Sequence, residues 1–260
     1  MKNFVISLID ASERRNHISN EFYKKNITFT FFDAINKSQI DFTSQQLNLN
    51  LANADLTQGE KACLLSHVSL WKIAIDLNLP YIAIYEDDIL LGTDIESFLL
   101  KDEWIPTSVD IIKLEVFAES ALMGYEKNIV NNARYLRRLK GIHLGAAGYI
   151  LSQNSARSLL KYIQSLDKIT AIDHILFEDF VMNLDLSVYQ LCPGLCIQSD
   201  RLNQDSNKIL SQLESERRER LDINMLKHKK IKQSLFFKIK REYKRFILKI
   251  SLLFCRIEFK

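Results

Sequence analysis

The feature that most constrains the fold is an apolar strand that ends abruptly in three carboxylates. The pair Thr57 and Glu60 predicts a capped helix start, and this helix should end near Pro80, because the residue before proline disfavours the α region. Residues 81–85 (Tyr-Ile-Ala-Ile-Tyr) then have the pattern of a buried strand, followed at once by Glu-Asp-Asp at 86–88. Carboxylates at the end of such a strand face the crevice where open α/β sheets bind ligands.

The rest of the first 224 residues fits the same class. Residues 4–8 and 28–32 predict strands on either side of a helix from Ser12 through Phe22, and this order is typical of a parallel α/β unit. Further strands are predicted at 111–117, 143–151 and 186–198, with helices at 153–164 and 173–182. Three prolines and seven glycines are too few for a many-turned all-β chain. We therefore expect one α/β domain over residues 1–224, with a mixed, mostly parallel sheet.

Residues 225–260 have a different composition. They carry 12 Lys and Arg against two Glu, a net charge of +10, which leaves about −7 for residues 1–224 when the whole chain carries +3. Apolar residues from Phe236 to Ile257 recur every three or four positions between the basic ones, which predicts a basic amphipathic helix. It could bind an anionic membrane, bind nucleic acid or pack on the body. The aromatic-rich stripe favours the membrane, and the acidic body offers no basic groove, so no nucleic-acid partner is expected.

Cysteine usage and the first residues bear on the compartment. The four cysteines lack the paired spacing of a structural zinc site, and the short apolar run at the N-terminus is followed at once by charged residues, unlike an export signal. No stretch approaches the roughly 20 uninterrupted apolar residues that a membrane span requires. A reducing compartment is expected, and any membrane contact should be peripheral.

The acidic triplet at 86–88 is the strongest chemical signal. Three adjacent carboxylates repel one another, and a cation or solvent must offset that repulsion. Oxygen-rich ligation suits Mg²⁺ or Mn²⁺, which often bridge protein carboxylates to the phosphates of a substrate. A solvated strand end is the alternative. A metal-dependent phosphohydrolase could also use the triplet, but it would usually need further clustered Asp or His ligands, and none is evident.

Several short motifs occur together in a recognisable order. They are Ser7-Leu8, Arg14-Arg15, Leu-Thr-Gln-Gly-Glu at 56–60, Cys63, Ser66-His67, Trp71, the triplet at 86–88, Gly-Ala-Ala-Gly-Tyr at 145–149 and Asp173-His174. In this order they resemble glycosyltransferase family 25, whose members build lipooligosaccharide. The resemblance covers about the first 200 residues, and the combination is far more specific than any one motif.

The resemblance implies a GT-A-like, Rossmann-like catalytic domain that inverts the anomeric centre of a transferred hexose. It implies a UDP-sugar donor, most often UDP-galactose, with UDP-glucose as the alternative, and a lipooligosaccharide acceptor. Asp87 and Asp88 are then expected to contact Mn²⁺ or Mg²⁺, and Glu86 to support them or to contact the donor sugar or ribose. Because lipid-linked acceptors are assembled at the inner face of the cytoplasmic membrane, we expect a cytoplasmic protein that is peripheral on that face.

Five further side chains are candidates for the site. Asp173 is the expected general base, although an ordinary helix N-cap explains it equally well. Arg14 and Arg15 could pair with the donor diphosphate, or could simply be solvated. Gln198 lies where similar folds bring a further metal or phosphate contact, commonly a histidine. His67 is expected near the donor by resemblance, whereas its apolar helix face indicates a hydrogen-bonded core residue.

Overall fold

The computed structural model describes residues 1–131, 133–182, 186–202 and 255–260. The strands are β1 Lys2–Ser7, β2 Thr30–Asp33, β3 Tyr81–Glu86, β4 Ile89–Leu91, β5 Ile111–Lys113, β6 Asn128–Ile129, β7 Tyr135–Arg138, β8 Gly148–Ser152, β9 Val188–Cys192 and β10 Cys196–Gln198. The helices are α1 Ser12–Lys24, α2 Ile40–Gln46, α3 Gln58–Asp76, α4 Glu96–Leu99, α5 Gln153–Ser165, α6 Ile172–His174, α7 Phe180–Met182 and α8 Ser199–Leu202. A π-helical turn, Ile175–Asp179, joins α6 to α7.

The described strands form one large mixed sheet and one small one. The eight-stranded sheet has the order β2-β1-β3-β8-β5-β9-β7-β6, and β10 pairs with β4 in the second sheet. Only β7 and β8 run against the other six strands of the large sheet. The α/β class and the mixed, mostly parallel sheet predicted from the sequence are therefore confirmed.

The large sheet is covered on both faces. Because side chains alternate along a strand, Ile82 and Ile84 of β3 pack on one side with α3 and α5, where Trp71 is fully buried. Ala83 and Tyr85 pack on the other side with α1 and α4. Burial on both faces explains why β3 is an unbroken apolar run rather than an alternating one.

Helix α3 begins where the sequence predicts. The hydroxyl of Thr57 accepts from the backbone N–H of Glu60 at 3.1 Å, and the Glu60 carboxylate accepts from the backbone N–H of Thr57 at 2.9 Å. This capping box satisfies two of the N–H groups that a helix start leaves without intrahelical partners. The helix therefore has a fixed start, and it carries Cys63 and His67 towards the end of β3.

The predicted basic tail lies mostly outside the described residues, but its end does not. Residues Cys255–Lys260 run extended along the body, where Phe259 forms a bridge with Gly194 and Ile257 is buried. The backbone N–H of Ile257 donates to the carbonyl of Glu119 at 2.7 Å. This corrects the expectation that Ile257 closes an amphipathic helix, because its side chain completes the core of the body instead. The prediction for 225–254 stays untested.

No helix within the described ranges is both long enough and apolar enough to cross a membrane.

Candidate active site

The three carboxylates at the end of β3 point to three different sets of partners. Glu86 is the last residue of the strand, and its side chain turns towards α3. Its Oε1 lies 3.6 Å from Nε2 of His67 and 3.9 Å from the thiol of Cys63. About a quarter of the Glu86 side chain is exposed, so this carboxylate has both buried and solvent-facing contacts.

Asp87 turns to the opposite side, as the alternation of a strand requires. Ser7, the last residue of β1, donates its hydroxyl to Oδ2 of Asp87 at 2.6 Å, and Arg14 of α1 donates from Nη1 to Oδ1 at 3.0 Å. Both Asp87 oxygens thus have protein partners, and the carboxylate links β3 to β1 and α1. A cation at Asp87 would have to share these oxygens.

Asp88 lies in the turn before β4, and its side chain faces Gln198, a residue far along the chain. Gln198 donates from Nε2 to Oδ2 at 3.2 Å, and the backbone N–H of Ser199 donates to the Asp88 carbonyl at 2.9 Å. Oδ1 of Asp88 is buried and has no hydrogen-bond partner among the described residues. Burial, and then the charges of Glu86 and Asp87, raise the pKa of Asp88 to about 8.

This geometry fits an oxygen-coordinated divalent cation at Asp88 better than at Asp87. A buried carboxylate oxygen without a partner is costly unless a positive charge meets it, and Mg²⁺ and Mn²⁺ prefer oxygen ligands. Gln198 adds an amide beside the same carboxylate. The sequence placed Gln198 in this region, and the structure brings it into direct contact with Asp88.

His67 belongs to a buried polar network. Nδ1 of His67 lies 2.9 Å from the hydroxyl of Tyr149, which also accepts from Nε1 of Trp71 at 3.0 Å. Burial lowers the pKa of His67 to about 3, with the Asp173 carboxylate opposing this effect. The side chain has no exposed surface, as its apolar helix face predicts for a hydrogen-bonded core residue.

The two arginines after β1 have separate environments. Arg14 pairs with Asp87 and keeps 41% of its side chain exposed. Arg15 instead pairs with Asp33, donates to the carbonyls of Ser7 and Leu8 at 3.0 Å each, and stacks on Phe31. Arg14 therefore adjoins the acidic triplet, whereas the contacts of Arg15 tie the end of β1 to the end of β2.

Asp173 is the second residue of α6 and not its cap. The helix begins at Ile172, after Ala171, so the N-cap interpretation of Asp173 is wrong. The carboxylate is nearly buried, and its Oδ1 accepts from the backbone N–H of His174 at 3.1 Å. Its negative charge acts on both His67 and Lys113, which places it on the α3 side of the sheet.

Sequence reasoning missed a buried ion pair beside this region. Nζ of Lys113 lies 3.2 Å from Oε2 of Glu115, and both side chains are fully buried. Glu115 also accepts from the backbone N–H of Ala147 at 3.0 Å, and Lys113 donates to the carbonyl of Gly145. The only local sign of this pair was the alternation of charged and apolar residues at 111–117. That alternation does not show that both faces of the strand are buried.

Comparison with known proteins settles the family. The sequence pattern described as "Glycosyltransferase family 25 (LPS biosynthesis protein)" matches residues 1–176. The chain belongs to glycosyltransferase family 25. One relative, the lipooligosaccharide biosynthesis protein lic2B of Haemophilus influenzae, is 39% identical over 230 residues, 85% of each chain. The lipooligosaccharide biosynthesis protein lex-1 of the same species is 36% identical over 267 residues, 90% of this chain and 88% of the other.

A third relative comes from a different genus. The lacto-N-neotetraose biosynthesis glycosyltransferase LgtE of Neisseria meningitidis serogroup B is 39% identical over 207 residues, 76% of this chain and 74% of the other. The resemblance inferred from the sequence motifs is thus confirmed, and this family 25 chain is a glycosyltransferase enzyme. The phosphohydrolase alternative is set aside.

Proposed function

We propose that the chain transfers galactose from UDP-galactose to the oligosaccharide of a lipooligosaccharide, with inversion at the anomeric carbon and with Mn²⁺ or Mg²⁺ as cofactor. The names of the relatives support the lipooligosaccharide pathway. Galactose rests on the family resemblance, and UDP-glucose is the alternative donor for the same site. The domain in this proposal is GT-A-like.

The main support for the proposal is the poorly satisfied carboxylate of Asp88. This carboxylate has a pKa of about 8 and one buried oxygen without a hydrogen-bond partner among the described residues, so these residues alone satisfy it poorly. It lies at the carboxyl end of β3, beside that of the parallel strand β1, where α/β sheets bind their ligands. Asp88 would hold the cation, with Asp87 and Gln198 beside it. When bound, the cation would offset the charge that develops on the departing diphosphate.

Arg14 is the candidate for contact with the donor diphosphate. It donates to Asp87 from Nη1 and exposes a large part of its guanidinium-bearing side chain. A guanidinium has five N–H donors in a planar fork, so the Asp87 contact leaves donors that can reach phosphate oxygens. Arg15 remains a predicted second contact to the diphosphate. Its own guanidinium, however, already donates to Asp33 and to two backbone carbonyls.

Inversion requires a base for the acceptor hydroxyl. The base removes the hydroxyl proton while the oxygen attacks the anomeric carbon, and the bond from that carbon to the diphosphate breaks with its electron pair leaving on UDP. We assign this proton transfer to Asp173, whose carboxylate lies near His67 and Lys113. Glu86 would contact the donor sugar or ribose. Replacing Asp173 with Asn should lower kcat strongly while leaving UDP affinity within about twofold.

Calorimetric titration with UDP tests the donor site. We expect the wild-type protein to bind UDP with Mn²⁺ and to lose that binding in EDTA. Asp88→Asn should lose the Mn²⁺-dependent part, whereas the control Asp10→Asn, at an exposed carboxylate beyond β1, should bind like wild type. Equal UDP affinity with and without the metal would remove the metal from the proposal.

The donor sugar needs a separate assay. Each UDP-sugar is supplied in turn with a soluble acceptor oligosaccharide, and the product is analysed by mass and by the anomeric proton signal in NMR. We expect transfer from UDP-galactose with inverted configuration. Preferential transfer from UDP-glucose would replace the sugar in the proposal and leave the site intact.

We further propose that residues 225–254 contact an anionic membrane on the cytoplasmic side. Their high positive charge and apolar stripe support this, since basic amphipathic helices bind anionic lipid surfaces. Sedimentation with vesicles of phosphatidylglycerol and phosphatidylethanolamine should recover the full chain and fail to recover a chain lacking 225–250. That deletion keeps Cys255–Lys260, which pack on the body. Equal recovery of both chains would refute the membrane role.

A further inference from the structure

A second group of ligand-type side chains lies next to the acidic triplet. Cys63 and His67 are one turn apart on α3, so both side chains face the same side of the helix. Glu86 reaches them from the end of β3, and the three ligand atoms all lie within 4.8 Å of one another. Two rigid elements of the fold therefore bring a thiol, an imidazole and a carboxylate to one point.

His67 gives an independent indication of a ligand. Its Nε2 is buried and has no hydrogen-bond partner within the described parts of the chain, and Oε1 of Glu86 lies 3.6 Å away. Its other ring nitrogen already faces the hydroxyl of Tyr149 at 2.9 Å. A histidine that binds a metal usually donates its second ring N–H to an oxygen in this way, which fixes the ring orientation.

We propose that Cys63, His67 and Glu86 form a binding site for a thiophilic divalent cation of the Zn²⁺ type, separate from the oxygen-lined position at Asp88. In a tetrahedral zinc site, ordinary bond lengths put a sulfur and an oxygen ligand about 3.5 Å apart and a nitrogen and an oxygen ligand about 3.3 Å apart. The corresponding distances here are 3.9 Å and 3.6 Å. Small side-chain movements would close these two pairs, and the sulfur of Cys63 and the nitrogen of His67 lie within 4.8 Å of each other.

Three protein ligands leave the fourth position of the cation for water. Such an open coordination is typical of catalytic zinc sites, whereas structural zinc sites usually have four protein ligands. Cys63 and Glu86 are both partly exposed, which provides an entry path, whereas His67 forms the buried end of the site. Sulfur and nitrogen ligands favour Zn²⁺ over Mg²⁺ and Mn²⁺, so the two sites should discriminate between cations.

Occupancy would have a functional consequence through Glu86. If Glu86 contacts the donor, a cation that recruits its carboxylate should compete with UDP-sugar, and Zn²⁺ should inhibit transfer in the presence of saturating Mn²⁺. This consequence rests on the proposed function, but the cation site does not. Binding can be measured without any transferase activity, so the two proposals can fail separately.

Titration of the metal-free full chain with Co²⁺ tests the site directly. A cobalt ion bound by a thiolate gives a ligand-to-metal charge-transfer absorption in the near ultraviolet, and we expect one equivalent of such binding, displaced by Zn²⁺. Cys63→Ala should abolish the band and weaken Zn²⁺ binding by at least about tenfold, since losing a direct ligand should cost more than losing an outer-shell partner. Cys192→Ala, at a buried thiol of β9, is the matched control and should behave like wild type.

Two variants separate this site from its neighbours. Asp88→Asn should keep the cobalt–thiolate band, because Asp88 belongs to the other cation position. Glu86→Gln should weaken the band and keep the fold. Absence of the band in wild type, or its persistence in Cys63→Ala, would overturn the proposal. Binding without a thiolate band, for example at the His174 and Glu178 pair, would overturn it as well.

Discussion

Replacing Asp88 with Asn should stabilise the metal-free protein while abolishing its metal-dependent activity. Burial and the neighbouring carboxylates raise the pKa of Asp88 from 3.8 to about 8. Between these two values the folded chain binds more protons than the unfolded chain, so the stability contributed by protonated Asp88 is lost as pH rises through this window. Asn is neutral at every pH and keeps an oxygen that can accept from Gln198.

The size of the expected change in the free energy of unfolding follows from the pKa shift of Asp88. At pH 7 the wild type lies about three units above the unfolded pKa, which corresponds to a cost of about 4 kcal/mol relative to pH values below 3.8. The attraction of Arg14 is already included in this pKa shift, but Asn introduces an amide N–H group that needs a partner in a buried position, and this offsets part of the gain. We expect Asp88→Asn to raise the free energy of unfolding by about 2 kcal/mol at pH 7 in EDTA.

Urea unfolding in EDTA at pH 4.5 and pH 7.5 measures this difference. The two proteins should be nearly equal at pH 4.5 and should separate at pH 7.5, with Asp10→Asn unchanged relative to wild type at both. With Mn²⁺ at about 100 times its dissociation constant, wild type should gain about 2.7 kcal/mol and the variant almost nothing. An Asn variant no more stable than wild type at pH 7.5 would show that Asp88 is not strained by burial, and would remove the main argument for a cation there.

Three further predictions concern the structure around the site, and each is measured by urea unfolding. Gly148→Ala should cost about 2 kcal/mol, because the new Cβ would lie 2.2 Å from Sγ of Cys196, and adding Cys196→Ala should recover most of the loss. Tyr149→Phe should cost about 2 kcal/mol, because it removes the hydroxyl that serves a buried indole and a buried imidazole. Glu115→Gln should cost about 3 kcal/mol, because it leaves the charge of Lys113 buried without its ionic partner.

The features that the sequence predicted well are determined by residues close together in the chain. The capping box that starts α3, the apolar strand β3 and the helix α5 each follow from the spacing of residues within one segment. Segment ends were less predictable: residues 111–117 form β5 only as far as Lys113. Beyond it, Val116 donates its N–H to the carbonyl of Cys196, a partner far along the chain. Pairing between distant segments decides where the strand ends, and one segment does not contain that information.

The same distinction explains the candidate site. The sequence identified the triplet and the nearby Arg14, because an acidic run after an apolar strand is a local pattern. It could not show that β8 runs antiparallel between β3 and β5 and brings Tyr149 under His67. Nor could it show that Cys255–Lys260 return to the body, since the preceding basic pattern favoured a continuous helix. These contacts join residues that lie far apart along the chain, and His67 and Tyr149, for example, are 82 positions apart.

The three carboxylates of the triplet are better understood as three separate positions than as one cluster. The alternation of the strand sends Glu86 and Asp87 to opposite sides, and the turn after β3 directs Asp88 to Gln198. Asp87 is paired with Arg14 and accepts a hydrogen bond from Ser7. Glu86 adjoins a neutral imidazole and a thiol, and Asp88 has one oxygen without a hydrogen-bond partner in the part of the chain that the structure describes. A hard cation is therefore expected at Asp88 and a softer one at Glu86. Because the two positions differ in ligand chemistry, replacing one carboxylate at a time should separate metal-dependent UDP binding from zinc binding.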